Sequence, residues 1–229
     1  MSVQDGDKDP KYWLNQGEQT GITDVVRKHS ESAMDVTIDS FHMGLAEDSE
    51  VLVKAYKTAF YIANLKKIRM KNPENRIFRN RDLGTVLREG YFPNCSDRGL
   101  IFRGLMIAQG IPASWVDTFE EEYLLGSDIQ MNLWGHVFSR VYDGNKSWIF
   151  DPTHINHFES EQELFNRARY VVFGEGLDSW DLGIRRYEDL SLARSENLQK
   201  LLVKYEQLLN NYYHTKQDQI GVLRQKEDA

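Results

Sequence analysis

The chain holds one cysteine among its 229 residues, Cys95. An intrachain disulfide is therefore excluded, and the thiol needs another reason to be there. A single cysteine fits a reducing compartment. Basic charge is also scarce: Lys and Arg number 28 against 35 Asp and Glu, for a net charge of -7. That balance argues against a general nucleic-acid binder, which needs clustered cations to neutralise phosphates. It gives no electrostatic draw to anionic lipid either. No apolar run approaches the roughly 20 residues a membrane span needs. The start, Met-Ser-Val-Gln-Asp-Gly-Asp-Lys-Asp-Pro, has neither a basic nor an apolar stretch. No signal peptide is visible, and a cytoplasmic location is expected. There are no internal repeats and no long low-complexity segment.

What the chain does have is an ordinary apolar content of 41 %, enough at this length for a core that needs no disulfide or metal. Residues 1 to about 21 are polar and read as a loose start. Between Thr23 and Phe41 the apolar positions Val25, Val26, Ala33, Met34 and Ile38 fall near helical spacing. From Asp48 to Met70 the spacing is clearer: Val51, Leu52, Ala55, Tyr56, Ala59, Phe60 and Ala63 recur at three and four. The run Lys71-Asn72-Pro73-Glu74-Asn75 breaks that helix. A short helix is expected from Asp82 to Glu89, before Gly90. A stronger one follows Asn94 and runs to about Gln109, with Gly110 as its left-handed stop.

Ala113 to Thr118 reads as a strand. Glu120 to Met131, with its Glu120-Glu121-Glu122 cluster, reads as a solvated loop, with a substrate-facing acidic lip as the alternative. Two strands follow, His136 to Tyr142 and Ser147 to Asp151, joined by the hairpin signal Asp143-Gly144-Asn145-Lys146. Tyr170 to Phe173 is a further short strand. Leu190 to Val222 carries one amphipathic stripe of Leu198, Leu201, Leu202, Tyr205, Leu208, Leu209 and Tyr212. That stripe packs on its own domain or makes a homodimer contact.

Cys95 sits where a helix should begin. With Asn94 as N-cap, Cys95 is the first helical residue and Asp97 the third, where a carboxylate suits the positive helix end. A thiol there is favoured as thiolate, although Asp97 works against it and a nearby imidazolium would contribute more. Buried packing is the alternative role of a free cysteine.

His136 and Asp151 can be placed by counting through the hairpin. With Asp143-Gly144 as the turn, His136 lies directly opposite Asp151, Cβ atoms about 4.5–5.5 Å apart. With Gly144-Asn145, or the four residues 143 to 146, as the loop, Asp151 faces Phe138 and His136 is its diagonal neighbour. Both registers put imidazole and carboxylate on one face, whereas a loop of three or five residues would separate them. A thiol, an imidazole and a carboxylate can together form a nucleophilic triad, the carboxylate fixing the tautomer of the ring. A structural His–Asp contact is the alternative.

These residues lie in three blocks: Asn94-Cys95-Ser96-Asp97 leading to Gly110-Ile111-Pro112-Ala113, then Gly135-His136-Val137-Phe138, then Trp148-Ile149-Phe150-Asp151-Pro152-Thr153. Their order and spacing resemble the core of the transglutaminase-like superfamily over about residues 85 to 153. The resemblance implies a papain-like α+β fold, with the cysteine helix packed on an antiparallel sheet. It implies Cys95 as nucleophile, His136 as general base and acid, and Asp151 as orienter. Two departures stand out. Asn94 replaces the glycine that many members have before the cysteine, and no motif assigns an oxyanion donor. The Cys95 amide is the default donor; Trp134, Tyr91 and Asn94 are candidate oxyanion or substrate-binding groups.

The expected organisation is an N-terminal helical extension over 1–80 packed on the core, a transglutaminase-like core over 81–189, and a C-terminal amphipathic helix over 190–229, with added helices at both ends of one globular unit. The function that follows is a thiol-dependent acyl transfer on an amide or peptide bond through a thioester, with a protein or peptide substrate and no cofactor. Hydrolysis is favoured over crosslinking, because no feature marks capture of a lysine amine. The alternative is a non-catalytic transglutaminase-like interaction module. A metal site of His136, His154 and His157 is also conceivable, but the spacing is a poor signal and none is expected.

Overall fold

A computed structural model describes residues 8–38, 49–65, 78–126 and 135–227, with side chains to residue 216. The chain is an α+β protein built on one antiparallel sheet. Asp24–Met34 forms α1, capped by the Thr23 side chain, and Glu50–Asn64 forms α2, capped by Ser49. Leu83–Glu89 is α3, which ends at Gly90 with φ of +61°. Cys95–Ala108 is α4. The strands are β1 (Ala113–Glu120), β2 (Gly135–Asp143), β3 (Lys146–Asp151), β4 (Asn156–Phe158) and β5 (Tyr170–Gly176). Between them lie α5 (Glu121–Leu125) and α6 (Glu161–Ala168), and α7 (Tyr187–Glu227) closes the chain.

The sheet order is β4-β3-β2-β1-β5. Alternation along the strands gives it two apolar faces. Trp115, Val137, Val141 and Phe150 pack with α1 to α4. Val116, Phe138, Ile149 and Val172 pack with Leu164 of α6. Phe119 and Phe173 join a cluster with Leu201, Tyr205 and Leu208 of α7. The stripe of α7 packs against this cluster. Among the described residues no helix is long and apolar enough to cross a membrane.

Helix α4 lies between the sheet and the other N-terminal helices and is buried from Leu100 to Ile107. This explains its weak amphipathicity: a helix covered on all sides needs no polar face. Gly99 and Gly104 are required by close packing. A Cβ at Gly99 would stand 2.5 Å from Val137 Cγ1, and one at Gly104 would stand 2.0 Å from Leu83 Cδ2.

Two expectations are corrected. The start of the chain is not loose from Lys8 on: Trp13 is buried and stacks on Tyr142, and Gln19 and Thr20 are buried. The cause is Arg103, fully buried in α4, whose guanidinium donates to Thr20 Oγ1 at 2.6 Å and to the carbonyls of Asn15 and Ala113. The acidic cluster is not an open loop either. Glu120 ends β1 and accepts from the Tyr170 hydroxyl, while Glu121 opens α5 and accepts from the Tyr205 hydroxyl at 2.8 Å. Helix α6 and strand β4 are additions to the expected elements. The Asp48–Met70 expectation is met as far as Asn64, and residues 66–77 lie outside the described residues.

Candidate functional site

The β2–β3 register pairs Asp143 with Lys146 and Ser139 with Phe150, so Gly144-Asn145 is the turn. Gly144 takes φ of +58°, as the first central position of a primed hairpin turn requires. This is the second of the registers weighed from sequence, the one that makes His136 and Asp151 diagonal neighbours. Their side chains meet, His136 Nε2 lying 3.0 Å from Asp151 Oδ1.

Asp151 is held from several sides. Its Oδ1 also accepts from the backbone N–H of Thr153 at 2.8 Å and of His154 at 3.1 Å. Its Oδ2 lies 2.9 Å from Nδ1 of the exposed His154. Burial pushes the Asp151 carboxyl up, but the bonds from His136, His154 and Thr153 outweigh it and hold the group below the usual carboxylate value. His157 points elsewhere, its Nδ1 lying 2.8 Å from the Tyr56 hydroxyl. The grouping of His136, Asp151 and His154 within 4.8 Å is accounted for by these hydrogen bonds.

With Nε2 of His136 engaged by Asp151, Nδ1 is the ring nitrogen left for the thiol. Cys95 is the first residue of α4, and its thiol and the His136 ring each shift the other's titration. Burial alone would raise the thiol. The bond and charge of His136, the Val137 backbone N–H and the charge of Arg79 outweigh burial and bring the thiol below its ordinary value. Burial pushes His136 down, yet its bonds to Asp151 and Cys95 carry it well above the ordinary imidazole value. One cause is common to both shifts: a thiolate and a protonated imidazole beside it stabilise each other.

The start of α4 is set as the sequence suggests. Asn94 caps it, its Oδ1 accepting from the Asp97 N–H at 2.9 Å, while its buried Nδ2 has no partner among the described residues. Asp97 does not oppose the thiolate as its position in sequence suggests. It is buried and bonded at 3.0 Å by Arg81, which carries the opposite charge. Tyr91 packs its ring beneath the Arg81 guanidinium, 5.7 Å away. Trp134 lies outside the described residues. Sequence reasoning missed the segment Phe78–Arg81, which meets the first turn of α4 from across the fold; no local signal marks it.

Comparison with known proteins adds little. No protein family model matches the chain, and no curated protein matches it. A crystal structure titled as a "putative cysteine protease" from Cytophaga hutchinsonii is similar at a TM-score of 0.48 and 17 % identity, covering 77 % of this chain and 50 % of that one. The chain thus spans about half the length of that protein.

Proposed function

We infer that this chain is a thiol-dependent enzyme that cleaves an amide or peptide bond through a thioester, with Cys95 as nucleophile, His136 as base and acid, and Asp151 as orienter. The observation that carries the reading is the 3.0 Å bond between His136 Nε2 and Asp151 Oδ1, together with a thiol at the start of α4 that the same ring holds below its ordinary value. A merely structural His–Asp contact would not account for a thiol at a helix N-terminus whose titration the same ring lowers.

The steps follow from this order. The Cys95 thiolate adds to the substrate carbonyl carbon, and the oxygen takes up the negative charge. The Cys95 backbone amide is a first-turn donor that no helical carbonyl reaches, so it is available to that oxygen. Collapse breaks the C–N bond, and protonated His136 gives its proton to the leaving amine. Neutral His136 then takes a proton from water, whose oxygen attacks the thioester. The products are the free acid and the regenerated thiolate. Asp151 keeps its charge and holds the ring upright throughout. The substrate is a protein or peptide, water is favoured over an amine as acceptor, and no cofactor enters.

The test is a library of peptide and amide substrates, with Cys95→Ala as the blank. Amine release that vanishes in Cys95→Ala, with an acyl adduct on Cys95 detected by mass spectrometry, supports the reading. Turnover that survives Cys95→Ala overturns it.

A further inference from the structure

One buried arginine outside the proposed triad links the cysteine helix α4 to β1, the strand that pairs with the histidine strand β2. Arg79 is 5 % exposed and sits at φ of +52°, a left-handed conformation that is uncommon for a residue with a side chain. Such a conformation persists only where its surroundings fix it. Here the Arg79 carbonyl accepts from Trp180 Nε1 at 2.6 Å and from Gln19 Nε2 at 3.2 Å. The guanidinium is fixed as well. Two of its nitrogens donate to the two oxygens of Asp117, at 2.6 and 2.5 Å, and Nε donates to Ser96 Oγ at 3.1 Å. It also lies over the Trp115 and Phe78 rings.

Both partners matter by position. Ser96 directly follows Cys95, so Arg79 grips the first turn of the cysteine helix. Asp117 belongs to β1 at a register shift in the β1–β5 pairing, and its neighbour Thr118 holds the histidine. Thr118 Oγ1 donates to the His136 carbonyl at 2.8 Å and accepts the His136 N–H at 3.3 Å. The approach there is close, since a Cβ on Gly135 would stand 1.9 Å from the Thr118 carbonyl oxygen. Two adjacent residues of β1 therefore tie down the cysteine helix and the histidine strand.

We propose that Arg79 is a positioning residue, its fork between Ser96 and Asp117 setting the thiol against the imidazole. This rests on the reading of Cys95 and His136 as a reacting pair. Arginine suits the task because only its planar fork reaches a carboxylate through two nitrogens and a hydroxyl through the third. The positive charge also lies where it favours the thiolate, a minor contribution because Asp117 neutralises it.

The test is the rate of alkylation by iodoacetamide as a function of pH, in which Cys95 is the only thiol that can report. Arg79→Met alone would strand the Asp117 charge, so the main variant is Arg79→Met with Asp117→Asn. Ser96→Ala is the second variant; it leaves the ion pair intact and cuts only the link to α4. His136→Ala reports on the reacting pair itself. The wild type should react at a near-constant rate from acid to neutral pH, and His136→Ala should follow a free thiol with a midpoint of about 8.5. The double variant should lose about tenfold in rate near pH 6, and Ser96→Ala about threefold, both with midpoints displaced upward. If the wild type and His136→Ala coincide, there is no reacting pair and the positioning role falls with it. If they differ while folded Arg79 and Ser96 variants match the wild type, the pair stands and the role of Arg79 is overturned.

Discussion

Asp151 is the residue on which the site turns. It serves two histidines with its two oxygens, so its charge does work that an amide cannot reproduce. Asp151→Asn should lower kcat by about 10²–10⁴ while leaving KM within a few fold, measured on any substrate that the library identifies. The same carboxylate makes stability depend on pH. Its folded value lies below the unfolded one, so its contribution is full above the unfolded value of about 3.9 and is lost as the pH falls through the folded value. Urea unfolding between about pH 6 and pH 3 should show wild-type stability falling more steeply than that of Asp151→Asn. Gly135 is tested separately. The atom its Cβ would meet is backbone and cannot swing aside, so Gly135→Ala should cost at least about 1–3 kcal/mol by thermal melting.

At the scale of elements, helix ends separate what is structural from what bears on the thiol. Asn94 caps α4 and Ser160 caps α6, each side chain accepting from the backbone N–H three residues on. Replacing either by alanine should cost about 1 kcal/mol in urea unfolding. Only Asn94→Ala should also slow alkylation of Cys95, because only α4 carries the thiol. The elements also show what the sequence could reveal. Helices α2 and α4, the β2–β3 hairpin and the long α7 were legible because apolar spacing, the Asn94 cap and the Gly144 turn are local signals. Helix α6 carried a readable signal in Ser160-Glu161-Gln162-Glu163, a capping pattern. The short α5 was hidden in an acidic run that reads as a loop. The candidate site was legible in Cys95, His136 and Asp151, since a hairpin count and a helix cap place them. Arg79 and Arg81 were not, because their partners lie many residues away and only the folded chain brings them together.

For the whole molecule, the N-terminal segment and the core are expected to unfold as one unit. Arg103 is the link: it is buried among Thr20, Asn15 and Ala113, and burial pushes its ordinarily very high pKa down to about 10. Arg103→Met would keep the bulk of the side chain and leave these acceptors bare, at about 1–3 kcal/mol each. A urea unfolding curve should show a large loss in one cooperative step. A separate early transition of the first residues would contradict that link.

The proposed function rests on one state, an ionised Cys95 beside a protonated His136. The thiolate absorbs in the ultraviolet, and Cys95→Ser supplies the blank for the only cysteine in the chain. The difference spectrum should show thiolate already present at neutral pH, emerging well below the pH at which a free cysteine ionises. A thiolate signal that emerges only with a midpoint of about 8.5, as in a free cysteine, would contradict it.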